Sequence, residues 1–158
     1  SFLKFKDQEM ERKFIEDLLE AVGENGTIFA HSANTVEISI LKELKKKDNC
    51  KDLSDKIDKL IKRTVDTYIL VGENFYHPLM NGNYGIKSII KAIPDSKISY
   101  EEEDNIEGGD DAQLAWFNFT DRKTSNEDKK KIKKKLLDNC AKDTKAVYEV
   151  IRYLINVQ

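Results

Sequence analysis

Cysteines are scarce in this sequence and long apolar runs are missing, and each shortage excludes a class of protein. Cys50 and Cys140 are the only cysteines, which is too few for a disulfide framework or a cysteine-rich zinc site. No run of about 18 apolar residues is present, so the sequence predicts no membrane-spanning helix. We therefore expect a cytoplasmic protein with reduced thiols and no membrane partner.

The sequence motifs of several enzyme classes are also missing. We find no glycine-rich phosphate loop, no serine or cysteine nucleophile elbow and no zinc-ligand spacing. The formal net charge of −2 gives the whole chain no strong attraction for nucleic acid or anionic membranes. A dense local cluster of six lysines does occur between residues 129 and 135. Such a cluster is usually the solvated face of a helix, although it could also contact phosphates.

Hydrophobic periodicity predicts a helix-rich α/β protein that forms a single domain over residues 1–158. Apolar residues three or four positions apart indicate six or seven helices, and only two short segments are typical of strands. The strands are predicted at 27–31 and 63–66, and an exposed acidic loop at 99–109. The helices are predicted at 7–22, 34–47, 53–61 and 85–93, from 110, and from 124 to the C-terminal end.

The predicted C-terminal helix carries an acid on its apolar stripe. The stripe consists of Leu136, Cys140, Val147, Ile151 and Leu154. Asp143 completes this series, and a carboxylate on a buried stripe has to be paired, hydrogen-bonded or bound to a cation. The alternative is an acid at the edge of the stripe that leans toward Lys142 or Lys145. The same stripe predicts that Cys140 is buried in the core.

Two further carboxylates follow the predicted strands. Glu37 comes after the first strand at the start of a helix, and Asp66 ends the second. Ligands of open α/β sheets bind beside the carboxyl ends of the strands, where Glu37 together with Asp143 could hold a divalent cation. The structural alternatives are a capping box, with Asn34 as N-cap and Glu37 at N3, and a strand-end or capping role for Asp66.

His77, Tyr84 and Lys87 form a mixed polar and aromatic group around a loop-rich segment at 74–85. Side chains of this kind stack on bases and pair with phosphates, so we predict that they contact nucleic acid. His31 and His77 are not spaced as a pair of metal ligands. The structural alternative for both is a histidine of the fold or the surface.

Several segments, in the same order, carry a resemblance to known families. Residues 30–41 (AHSANTVEISIL) resemble the second acidic motif of the proofreading-type DEDD exonucleases, in which an acid opens the helix after a strand. Residues 76–90 resemble the His-Pro and Gly-x-Tyr-x-Ile-Lys segment of the bacterial domain-of-unknown-function family 2779. Residues 140–147 (CAKDTKAV) resemble its Cys-x-x-Asp-Thr-x-Ala segment, and residues 63–66 fit the Arg-x-Val-Asp between them.

That family is similar to ribonuclease-H-like 3′–5′ exonucleases, and the resemblance implies both a fold and an activity. The implied fold is the C-terminal portion of a ribonuclease-H-like α/β/α sheet with about two parallel strands. The implied activity is hydrolysis of phosphodiester bonds in DNA or RNA with Mg²⁺ or Mn²⁺. Glu37 and Asp143 match two of the metal-binding acids. Asp66 and Asn139 are second-line residues, and Asn139 stands where the family has the tyrosine that would orient the attacking water.

The resemblance also implies that the first strands and two more acids lie before residue 1. We therefore expect the parent protein to bind the metal and cleave nucleic acid, and this piece to be inactive alone and without bound metal. The alternative is a non-catalytic nucleic-acid-binding or protein-interaction module with a degenerate nuclease fold. A two-stranded remnant would expose an apolar sheet edge, so we also expect a homodimer through that edge.

Overall fold

The computed structural model describes residues 8–100 and 109–156. Within these ranges the chain forms seven α-helices, two 3₁₀-helices and one two-stranded parallel sheet, which confirms the predicted helix-rich α/β class. The chain divides into two compact units, Ser1–Tyr76 and His77–Gln158. The acidic loop predicted at 99–109 lies for the most part outside the described residues.

The first unit contains both strands, and their parallel direction requires a long crossover between them. Residues 31–63 supply that crossover with two α-helices and a 3₁₀-helix. Both strands occur where the sequence predicted them. The elements of this unit are α1 (Gln8–Val22), β1 (Ile28–Ala30), α2 (Glu37–Leu44), a 3₁₀-helix (Asp48–Leu53), α3 (Ser54–Lys62), β2 (Thr64–Asp66) and α4 (Thr67–Asn74).

An apolar core joins α1, α2, α3 and the 3₁₀-helix. Ile15 and Ile57 are completely buried within it, and burial of one such side chain stabilises the fold by about 1.5–3 kcal/mol. Core positions recur every three or four residues, which is why these segments fold as helices with one apolar face. The buried members are Ile15, Leu41, Leu44, Leu53, Ile57 and Leu60.

Arg63 holds the C-terminal end of α1. Gly23 and Gly26 have φ angles of +61° and +89°, which glycine adopts without steric cost and which turn the chain out of the helix. The guanidinium of Arg63 donates hydrogen bonds to the carbonyls of Asn25 (2.7 Å), Gly26 (3.0 Å), Val22 (3.2 Å) and Gly23. The carbonyl of Val22 is the last of α1, and the other three belong to the turn that follows. The last carbonyls of a helix lack helical partners and carry partial negative charge, so Arg63 neutralises this end and also holds the turn.

The second unit is built on one long helix. It consists of a 3₁₀-helix (Pro78–Met80), α5 (Ile86–Ile90), α6 (Gly109–Thr120) and α7 (Asn126–Asn156), which is 31 residues long and packs against α5 and α6. Glu127 and Asp128 lie in the first turn of α7, where the positive end of the helix dipole favours acids.

The buried stripe of α7 is rotated from the predicted one. Leu136, Ala146, Val150 and Ile151 are buried, and Asn139 and Asp143 are half-buried between Leu136 and Ala146. Cys140 is exposed, so the prediction that it lies in the core is wrong. Leu136 and Ile151 of the predicted stripe are buried and Val147 is half-buried, and packing adds Ala146 and Val150 to the buried face. Asp143 nevertheless lies on the packed face.

Candidate functional site

The carboxyl ends of β1 and β2 lie side by side, because Ala30 is in register with Asp66. Asp66 is only 9% exposed, and each of its carboxylate oxygens accepts a backbone hydrogen bond. Oδ1 accepts from the N–H of Tyr68 at 3.0 Å, and Oδ2 accepts from the N–H of Asn34 at 2.9 Å. Asp66 is therefore the N-cap of α4 and also ties β2 to the turn after β1, which confirms its predicted structural alternative.

Three neighbours complete this strand-end cluster, which we define as His31, Asp66, Thr67 and Tyr68. His31 Nδ1 lies 3.0 Å from the hydroxyl oxygen of Thr67, whose side chain is almost completely buried. The rings of His31 and Tyr68 meet edge to face with their centroids 5.7 Å apart. These contacts hold His31 within the fold of the first unit, in agreement with its structural alternative.

Glu37 lies in the first turn of α2 with an exposed side chain. The helix begins at Glu37, its N-cap position is Val36, and no side chain caps it, so the predicted capping box with Asn34 is wrong. The reason is tertiary: the N–H of Asn34 is bound to Asp66, and a turn closed by the carbonyl of Ser32 precedes the helix. The carboxylate of Glu37 thus stands at a helix N-terminus that follows the carboxyl end of β1.

Asp143 lies at the centre of a hydrogen-bonded group in the second unit. Tyr100 donates its hydroxyl proton to Oδ1 at 2.7 Å, and Asn139 Nδ2 donates to Oδ2 at 3.1 Å. The Nζ atoms of Lys87 and Lys142 lie 5.0 and 5.6 Å from the centroid of the Tyr100 ring, a cation–π geometry. We call this group of Tyr100, Asp143, Asn139, Lys87 and Lys142 the Tyr100 cluster.

Burial and the charge of Asp143 raise the pKa of two neighbouring groups, Tyr100 and Cys140. Burial, the hydrogen bond to Asp143 and the charge of Asp143 together raise the pKa of Tyr100. Partial burial and the same charge raise the pKa of the Cys140 thiol, so Cys140 has little thiolate character at neutral pH.

The side-chain oxygen of Asn139 is buried without a hydrogen-bond partner among the described residues. Each Asp143 oxygen accepts from one donor of the described residues, so each keeps a lone pair for a further donor or a cation.

A phenylalanine at position 100 tests the hydrogen bond to Asp143 through its pH dependence. The folded chain holds the Tyr100 proton above about pH 10, where unfolded tyrosine loses it, so this contribution to stability is present below about pH 10 and is lost at higher pH. We expect Tyr100→Phe to lower the free energy of unfolding by about 1–2 kcal/mol near pH 8, and the difference from the wild type to shrink above about pH 10. Urea unfolding at a series of pH values measures it.

Tyr148→Phe is the matched control, because Tyr148 is 59% exposed on α7. Its effect on the free energy of unfolding should stay close to zero at every pH. A Tyr100→Phe difference that is constant from neutral to alkaline pH would contradict the hydrogen-bonded phenol.

Of the three residues predicted to contact nucleic acid, Lys87 belongs to the Tyr100 cluster. His77 instead caps the 3₁₀-helix at Pro78–Met80, where its Nδ1 accepts a hydrogen bond from the N–H of Leu79 at 3.2 Å. Tyr84 is half-buried just before α5. The second unit therefore brings Lys87, Asn139 and Asp143 together around Tyr100. Glu37 belongs to the first unit, and its sharing of a cation with Asp143 stays a prediction.

The described residues form neither a group of metal ligands nor a membrane-spanning helix. Residues 8–100 and 109–156 contain no group of three or more His, Cys, Asp or Glu side chains placed to hold a metal ion. Within the same ranges, no helix has the length and apolar character needed to cross a membrane.

Comparison with protein families gives a match over the first part of the chain. The family model Domain of unknown function (DUF2779) matches residues 1–85, which is more than half of the chain. The chain belongs to the DUF2779 family. The matched part of this DUF2779 chain contains β1, β2, Glu37, Asp66 and His77, whereas Asp143 and α7 lie beyond it. No curated protein and no solved structure matches the chain.

Tyr100 is the residue of the DUF2779 chain that sequence reasoning missed. It lies 43 positions before Asp143, in a segment without hydrophobic periodicity, so no local pattern points to it. A usable signal was present, because an acid on a packed stripe requires a donor from another segment. A tyrosine outside the predicted helices, such as Tyr100, can supply that donor.

Proposed function

We propose that this DUF2779 chain is part of a metal-dependent nuclease of ribonuclease-H-like fold, which hydrolyses phosphodiester bonds of DNA or RNA in a 3′–5′ exonuclease-like reaction. The observation that carries the proposal is the parallel β1–β2 pair, with Glu37 exposed in the first turn of the helix that follows β1. Ligands of open α/β sheets bind in the crevice outside the carboxyl ends of the strands. The family match covers this segment, including Glu37, and assigns it no activity.

The available donors fit a hard divalent cation. Mg²⁺ and Mn²⁺ prefer oxygen ligands, and Mg²⁺ commonly uses one or two protein carboxylates together with water and substrate phosphates. The hydrogen bonds from Tyr100 and Asn139 fix the orientation of the Asp143 carboxylate and leave a lone pair on each oxygen. Glu37 and Asp143 each carry a carboxylate of the type that such an ion prefers, and the remaining ligands would come from outside the described residues. Metal bound there would supply an activated water and stabilise the leaving oxygen.

One observation favours a second candidate, a nucleic-acid-binding or protein-interaction module without catalysis. Both oxygens of Asp143 already have donors, and two ammonium groups flank the Tyr100 ring, so the carboxylate is satisfied without a metal. The cluster would then act as a structural element of the second unit.

For both candidate functions we propose a homodimer. In the described sheet β1 pairs with β2 alone, and the unpaired edge of β1 would form the contact between the two copies.

Asp143→Ala in the full-length protein tests the nuclease proposal. With Mn²⁺ and end-labelled single-stranded DNA or RNA, we expect kcat/KM to fall by about 10²-fold or more, because a lost metal ligand removes transition-state stabilisation. Asp138→Ala is the matched control, since Asp138 is an exposed acid on the same helix, and it should leave activity unchanged. Equal activity of wild type and Asp143→Ala contradicts the assignment. Nucleic-acid binding without cleavage supports the second candidate.

A further inference from the structure

The basic residues of the second unit are concentrated at the start of α7. Residues 122–135 contain eight lysines and arginines and only two acids, although the whole chain has a net charge of −2. We infer that this lysine segment, 122–135, is a docking surface for the phosphate backbone of nucleic acid. The inference rests on the proposed nucleic-acid partner and is independent of catalysis and of any metal.

The lysine segment is exposed around most of the helix. Each residue turns an α-helix by about 100°, so six lysines between 129 and 135 cover about 240° of its circumference. Five of them are exposed, and Lys129 is half-buried. Ile132 is half-buried and Leu136 is buried, so the segment presents no broad apolar face to solvent. A helix that lies on a membrane needs such a face, and a helix that binds phosphates does not.

Like charges repel one another within the lysine segment, and a bound polyanion would relieve that repulsion. The like-charged i, i+4 pairs are Lys129–Lys133, Lys130–Lys134 and Lys131–Lys135, and pairs of this kind destabilise a helix. The ion pair between Lys131 and Glu127 at 3.0 Å offsets this repulsion in part. A phosphate backbone would neutralise several lysines together, and the release of its counterions would favour binding.

A triple substitution tests the lysine segment. Lys130, Lys133 and Lys134 are exposed, and their replacement by glutamine keeps a good helix former. Binding of fluorescent single-stranded DNA, RNA of the same sequence and duplex DNA is measured by anisotropy, in EDTA, between about 50 and 200 mM salt. We expect the triple variant to bind about tenfold more weakly or worse, and its salt slope to fall by about 0.7–0.9 for each lost phosphate contact.

The control is the triple variant Lys56→Gln, Lys59→Gln and Lys62→Gln, which removes the same charge from exposed positions of α3. Its affinity should stay within about twofold of the wild type. Equal weakening by both triple variants overturns the lysine segment as the docking surface, as does a wild type that binds no oligonucleotide. Capture by phosphatidylserine vesicles without oligonucleotide binding overturns the choice of nucleic acid. Far-ultraviolet circular dichroism verifies that both variants are folded.

The two proposals fail separately. The binding assay contains EDTA and therefore tests binding without metal. Unchanged cleavage by Asp143→Ala would contradict the nuclease proposal but not the proposal that the lysine segment binds nucleic acid. Conversely, unchanged binding by the Lys130, Lys133 and Lys134 variant would remove this surface and leave the nuclease assignment standing.

Discussion

Asp66→Ala is expected to lower the free energy of unfolding by about 2–4 kcal/mol. The substitution removes the N-cap of α4 and leaves the N–H of Asn34 without its acceptor, at a position where Asp66 is only 9% exposed. Loss of a cap costs about 1 kcal/mol, and an orphaned donor costs about 1–3 kcal/mol more. Urea unfolding followed by far-ultraviolet circular dichroism measures the change.

Two companion variants separate the contacts of Asp66 from general effects of charge. Asp66→Asn keeps one carbonyl acceptor but turns an amide donor toward the other N–H, so its loss should be similar or only slightly smaller. Asp58→Ala removes a carboxylate whose partner is the Lys45 ammonium at 2.6 Å in a partly exposed ion pair, and it should cost less than about 1 kcal/mol. Comparable losses for Asp58→Ala and Asp66→Ala would contradict the buried, doubly bound carboxylate.

Arg63→Met is expected to lower the free energy of unfolding by about 2–3 kcal/mol. Methionine retains much of the aliphatic stem but none of the donors that reach the Val22 carbonyl at the end of α1 and the three carbonyls of the turn that follows. Those carbonyls lose both their hydrogen bonds and the cation that offsets the negative end of the helix. We expect the loss to appear as a lower midpoint in urea with an unchanged slope.

Arg63→Lys sharpens this test because it preserves the charge. One ammonium cannot replace a planar fork of donors directed at four carbonyls, so lysine should recover less than half of the lost stability. Lys62→Met, at the exposed neighbouring position, should change the free energy of unfolding by less than about 0.5 kcal/mol. Full recovery by lysine would show that charge alone, and not the four hydrogen bonds, stabilises the end of α1.

The contacts of Arg63 and Asp66 show what two residues three positions apart do on either side of β2. The arginine before β2 closes the helix that precedes β1, and the acid that ends β2 closes the turn that follows β1. The residues that flank and end β2 thereby bind the segments before and after β1. The Arg-x-Val-Asp segment therefore has a structural role, because both of its charged side chains stabilise the sheet. The exposed carboxylate near the carboxyl end of β1 is that of Glu37.

Hydrophobic spacing predicted most of the secondary structure of this chain. The strands at 28–30 and 64–66 and the helices α1, α2 and α3 form where their patterns indicated, whereas α4 is not among the predicted helices. These features are local, since a strand of three residues between turn signals and a helix with one apolar face are both visible within a short window. The capping box at Asn34 failed because a distant carboxylate, Asp66, binds the backbone that it required.

The candidate site was only partly visible in the sequence. Asp143 was identified from its position on a helical stripe and Lys87 from the polar and aromatic group around residues 74–85. The group that joins them, Tyr100, comes from a segment without periodicity. The orientation of α7 was also ambiguous, because adjacent apolar residues support two stripes. Packing exposes Cys140 and half-buries Asn139 instead.

By itself, the amino-acid sequence determined the class of this protein, the order of its elements and the resemblance to its family, because periodicity and motifs are properties of neighbouring residues. Tertiary structure decided which carboxylates cap and which are exposed. It joined Asp66 to Asn34 and Tyr100 to Asp143 across 32 and 43 positions. Hydrogen bonds between distant segments depend on how helices and strands pack, and no local pattern of residues encodes that geometry.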